Sequence, residues 1–184
     1  MRLLVFLCAI AILASLVGTA AGASGPVPPG TAGTLSVEGG KGVVTVELRG
    51  VTLGVLASGV LRVTDLTPHD RFVPTVKGRK LTQLRLGPRT VLYRGQGLRF
   101  SMLGGSYRFV ARGSGVALSG VGWGWVTLTG VPKFVGDDVG VYSIDGVDCA
   151  DQPESCTPLP ETPLKIKLGT TVADGSSKSI IRSR

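Results

Sequence analysis

Residues 42–50 read GVVTVELRG, and their alternation decides the fold class. Val44, Val46 and Leu48 fall on one side of an extended chain, Thr45, Glu47 and Arg49 fall on the other, and a glycine closes each end. Successive side chains of a strand point to opposite faces, so a period of two marks a strand with one face buried. The pattern recurs further along. Leu98, Phe100 and Met102 oppose Arg99 and Ser101, and Tyr107, Phe109 and Ala111 oppose Arg108 and Arg112. Further β-branched runs stand at 60–66 (VLRVTDL), 90–94 (TVLYR) and 126–129 (VTLT), each with a glycine at one end. Nothing after residue 23 sustains a 3.6-residue period, so little helix is expected. Strands at this spacing predict an all-β fold: a single antiparallel β-sandwich or small barrel of short, glycine-punctuated strands, with a β-solenoid as the alternative.

Residues 40–50 can be laid over 95–105 at an offset of 55, which reads as two halves of a sandwich, two turns of a solenoid, or a chance match supplied by glycine. Between these copies, residues 67–74 and 77–80 read as one longer loop. Residues 139–144 offer a last strand.

The ends of the chain read differently. Arg2 precedes an uncharged apolar run at 3–17, and Ala21-Gly22-Ala23 is a small-x-small site. That is the layout of a secretory signal peptide cleaved near Ala23. The run is shorter than the roughly 20 residues a membrane-spanning helix needs. The expectation is a secreted or extracytoplasmic protein with no transmembrane helix after cleavage. Residues 24–34 read as a Pro/Gly linker, 35–160 as the β domain with an acidic C-terminal segment, and 161–184 as an extended, flexible tail.

Removing Cys8 with the signal leaves Cys149 and Cys156, separated by six residues that include a proline. In an oxidising compartment that pair predicts a disulfide clipping the C-terminal segment. A metal site would need further thiols or imidazoles, and the chain has one His. No cofactor is expected.

The net charge of +8 is unevenly placed. Residues 41–133 hold 14 Lys/Arg against Glu47, Asp65 and Asp70, whereas 135–162 hold seven acids and no Lys/Arg. The densest basic group, Arg71, Lys77, Arg79, Lys80, Arg85, Arg89 and Arg94, is the candidate site for an anionic envelope or extracellular polymer. The competing readings are that these cations keep a glycine-rich sheet soluble and guard its edges, or that the acidic segment folds back over them. An adhesin-like or structural module with a protein partner is the alternative function. Nucleic acid is the least suited partner for an exported chain.

Catalysis has little to draw on. His69 stands beside Asp70 in a Pro-flanked loop, with no Gly-x-Ser-x-Gly elbow, and a carboxylate-dependent hydrolase is the most distant alternative. Asp145, Asp148 and Asp151 recur every third residue, which is turn spacing rather than the alternate positions of a calcium loop. Trp123 and Trp125 share one face of a strand. Exposed, they would stack on sugar rings; the scarcity of aromatics favours their burial in the core.

The Gly/Val alternation, the pair RTVLYRGQGLRF (89–100) and the segment GDDVGVYSIDGVDC (136–149) resemble uncharacterised secreted Gly/Val-rich β-proteins of GC-rich, actinobacterial-type bacteria. The likeness covers most of 35–160. It implies an exported β fold and brings no activity, ligand or site residue with it.

Overall fold

The computed structural model describes residues 30–134 and 136–171. The expected signal segment, most of the linker and the last residues from 172 onward lie outside the described residues. The described chain is all-β: β1 (Gly30–Thr31), β2 (Gly33–Asp65), β3 (Thr75–Gly87), β4 (Thr90–Gly130), β5 (Val141–Ile144), β6 (Thr157–Pro158), β7 (Leu164–Leu168) and β8 (Thr170–Thr171), with one 3-10 turn at Pro153–Ser155. Six strands form one antiparallel sheet in the order β3-β4-β2-β5-β6, with β7 on β4, and β1 pairs separately with β8. The sheet does not close into a barrel.

The short strands expected from the glycine spacing are pieces of two long ones. β2 runs for 33 residues and β4 for 41, bending at glycines without leaving the sheet. These two strands pair twice. Val44 stands opposite Ala111 on one side and Leu128 on the other, 17 residues further on; Ala111 in turn stands between Val44 and Leu61. An antiparallel pair whose registers repeat every 17 or 18 residues is wound into a coil. The sheet thus combines the facing layers of a sandwich with the winding of a solenoid.

Each turn of the coil has two flat stretches. A front wall contains 43–49, 59–65, 90–95, 106–112 and 123–129, and a back wall contains 33–37, 51–56, 98–103 and 116–121. The alternating apolar residues of both walls point inward and meet in a single core that includes Val46, Leu56, Leu61, Leu98, Phe109 and Leu128. Phe100 of the back wall and Phe109 of the front wall touch across it, ring centroids 5.5 Å apart.

Glycine belongs at the corners for a steric reason. Gly50 and Gly122 face each other across β2 and β4: a Cβ on Gly50 would lie 2.1 Å from the Val121 carbonyl oxygen, and one on Gly122 would lie 2.2 Å from that of Arg49. Gly59 and Gly113 repeat the arrangement at the opposite corner, at 2.2 and 2.0 Å. The backbones approach closely because neither residue has a side chain. The likeness of 40–50 to 95–105 reflects this glycine–strand–glycine device. The two segments lie on different walls and do not pair with each other.

Three further expectations are corrected. Residues 77–80, read as loop, belong to β3, an edge strand paired with β4. Residues 164–168, read as tail, form β7 opposite Gly124–Leu128, with Leu168 fully buried. The start of β2 lies within the expected linker, and Gly30 and Thr31 pair with Thr171 and Thr170. In the C-terminal segment proline-rich surroundings hide a short alternating run, LKIKL.

Candidate basic site and its surroundings

β3 is the exposed edge of the coil, and its sequence TVKGRKLTQLRLG carries Lys77, Arg79, Lys80 and Arg85. Arg89 follows in the turn to β4, and Arg94 stands opposite Thr82 on the neighbouring stretch. Arg71 lies apart from β3, in the loop that packs Phe72 against the Gly104–Gly105 corner. Among the described residues none of these seven cations forms an ion pair. Ion pairs elsewhere include Arg108 with Glu47, a guanidinium holding one carboxylate oxygen through both Nε and Nη2, and Lys41 with Asp137.

Two of the cations converge. β3 turns its corner at Lys80, whose φ of 49° places a non-glycine residue in the left-handed region. Lys80 and Arg94 then line one shallow groove of about 470 Å³ together with Ser58, Gly59, Val60, Gly95 and Gln96. No carboxylate lines it. Arg79 adjoins it, opposite Gln96. Arg85 stands opposite Val91, diagonal to Tyr93, whose phenol pKa is raised by burial and lowered in part by that guanidinium.

The acidic segment sits at the other end of the sheet. β5 and β6 form the edge opposite β3, so the segment does not fold back over the basic strand. Its carboxylates organise turns: Asp137 accepts from the Lys133 and Phe134 amides, Asp138 from that of Gly140, and Asp145 from that of Thr34. Asp148 accepts from the Ala150 amide and the Ser36 hydroxyl, and the two bonds, in that order, hold its pKa below the usual carboxylate value. Among the described residues no group of three or more His, Cys, Asp or Glu is placed to hold a metal ion.

Cys149 and Cys156 are joined, Cα atoms 5.9 Å apart, as their spacing predicted. The Cys149 amide donates to the Ser36 hydroxyl at 2.9 Å, and Cys149 is fully buried. The disulfide loop is thereby pinned to the outside of the back wall.

The remaining candidates fall elsewhere. His69 is exposed in a turn. Its neighbour Asp70 accepts from the Thr67 hydroxyl and the Phe72 amide, so the two do not form a dyad. The expected burial of the tryptophans is not observed. Val126 and Leu128 face inward, so Trp123 and Trp125, in the opposite phase, face out. Trp125 is 44% exposed with Lys165 over its ring at 4.6 Å, and Trp123, partly covered at Gly169, has a buried Nε1 without a hydrogen-bond acceptor. The even-numbered phase of that strand was a readable signal for this orientation.

Compared with protein-family models, curated proteins and solved structures, the chain matches none.

Proposed function

We propose that this chain is an exported, non-catalytic β domain that binds an anionic envelope or extracellular polymer at the corner formed by Lys80 and Arg94. The supporting observation is the convergence of those two cations on an open groove with no carboxylate, at the edge farthest from the acidic segment. Cations serving only solubility have no reason to converge, and an edge strand rich in Lys and Arg also resists pairing with its own copies. Lys77, Arg79, Arg85 and Arg89 extend the positive field along β3 and would follow a flexible polyanion beyond the groove. The glycine corners beside the groove let backbone amides come near a bound phosphate or carboxylate.

The test is retention on an immobilised phosphate-rich wall polymer, with an uncharged glucan as the control. Binding should fall at least about tenfold as NaCl rises from about 0.05 to 0.5 M, since exposed charges are screened. Lys80→Glu with Arg94→Glu should abolish it. Arg108→Ala, whose guanidinium is already held by Glu47, should change it less than about twofold. Salt-independent retention, or retention by the double variant, would refute the proposal.

A further inference from the structure

The outer side of the back wall carries an exposed apolar patch, bordered on one side by the disulfide loop, whose Asp148 and Ala150 share a groove with Leu53 and Val55. Val51, Leu53, Val55, Leu103 and Val121 are 39–60% exposed. They are contiguous through the register: Val51 stands between Leu103 and Val121, Leu53 between Ser101 and Ser119, and Val55 between Arg99 and Ala117. Isolated exposed apolar residues are ordinary, whereas a contiguous patch on the order of 400 Å² marks a contact surface.

We propose that this face joins two copies of the chain in an isologous, face-to-face dimer. The reason is its internal symmetry. A two-fold axis lying in the face along residues 51–55 maps every row of the patch onto itself. Val121 then meets Leu103 of the other copy, Ser119 meets Ser101, and Val51, Leu53 and Val55 meet their own counterparts. The charged ends also match. Lys77 is paired with Arg99 on the basic side, while Glu38 lines the groove beside Ala117 on the acidic side, with Asp148 on the disulfide loop above it. The same rotation sets Glu38 of each copy against Lys77 of the other. An isologous interface requires this kind of self-complementarity. A standard interface covers about 800 Å² per partner, somewhat over half of it apolar with a polar rim, and here the apolar rows carry Ser101 and Ser119 between them and charged residues at their ends.

The proposal does not rest on the anion groove, because Lys80 and Arg94 lie at the corner rather than on this face; only Lys77 is shared, as part of the basic strand and of the dimer's rim. It is tested by sedimentation velocity on the protein expressed from its full coding sequence, from about 1 to 100 µM. Wild type should sediment as a dimer at the upper end. Leu53→Asp should sediment as a monomer throughout, with far-UV circular dichroism unchanged because the side chain points outward. Glu38→Lys and Lys77→Glu should each raise the concentration for half-association at least about tenfold, since like charges then oppose each other at two symmetric contacts. An equimolar mixture of these two variants should recover dimer, because each contact in the heterodimer regains opposite charges. A wild type that remains monomeric at 100 µM, a dimeric Leu53→Asp, or a mixture no better than its components would each overturn the proposal. Monomeric protein that sediments with anionic vesicles through Leu53 would do so too, assigning the face to a lipid surface.

Discussion

Replacing Gly122 by alanine would set a methyl group 2.2 Å from the Arg49 carbonyl oxygen and 3.0 Å from the Gly50 Cα, at a backbone φ of +157°. Both neighbours are backbone, so no side chain can rotate away. Carbon and oxygen do not approach much within about 3.2 Å, so β2 must retreat by roughly 1 Å at this corner, weakening the ladder bonds that flank it. Losing one or two such bonds costs about 1 kcal/mol each, and the strained φ adds about 1–2 kcal/mol. The expected loss is about 2–4 kcal/mol, large for a change of one methyl group. Gly87→Ala supplies the internal control. A Cβ there meets nothing within 4 Å, so alanine should leave stability within about 1 kcal/mol or raise it slightly by restricting the unfolded chain. Urea denaturation of both variants, read as midpoints at unchanged m, decides the matter. If the two substitutions agree to within about 1 kcal/mol, the strands do not meet this closely at the corner and the steric account of the glycines is wrong.

The other predictions concern the alkaline limb and the disulfide. Tyr107 donates its hydroxyl proton to the Phe72 carbonyl at 2.5 Å, and its pKa is pushed up to about 12 by burial first, then by the Asp65 and Asp70 charges. The folded state thus holds this proton more tightly than the unfolded chain, whose phenol titrates near 10. Its contribution to stability is complete below pH 10 and is lost as pH rises from about 10 to 12. Tyr107→Phe should cost about 1 kcal/mol at neutral pH and flatten the alkaline limb of the stability curve. A variant with the wild-type slope there would contradict the assignment. Cys149→Ala with Cys156→Ala opens a loop whose ends are seven residues apart, for an expected loss of about 2.5 kcal/mol. Amide exchange should rise first in 145–156, because that segment hangs on Ser36; protection lost first in β3 would count against this.

Local alternation was readable because it is a property of neighbours. Val44, Val46 and Leu48 announce an inward face whatever they pair with, and the Cys149–Cys156 clip follows from a short spacing. Pairing partners are not local. Nothing near Val44 states that Ala111 and Leu128 flank it, so the coil could not be told from a sandwich or barrel by pattern alone. The basic cluster was visible as composition, yet the meeting of Lys80 with Arg94 depends on the register of β3 and on its corner. The tryptophans show the reverse case. Their outward phase is legible from Val126 and Leu128, and the scarcity of aromatics is no guide to burial here because Phe100, Tyr107 and Phe109 already occupy the core.

Residues in the middle of β2 answer to two neighbours seventeen or eighteen positions apart in β4. One residue inserted or deleted between 43 and 64 would slip both registers at once and turn the inward row out to solvent. Length can therefore vary more readily in connections outside the coil, such as 66–74 and the turn at 88–89. Within the coil, homologous chains are free to exchange side chains of suitable size and are bound to keep the residue count.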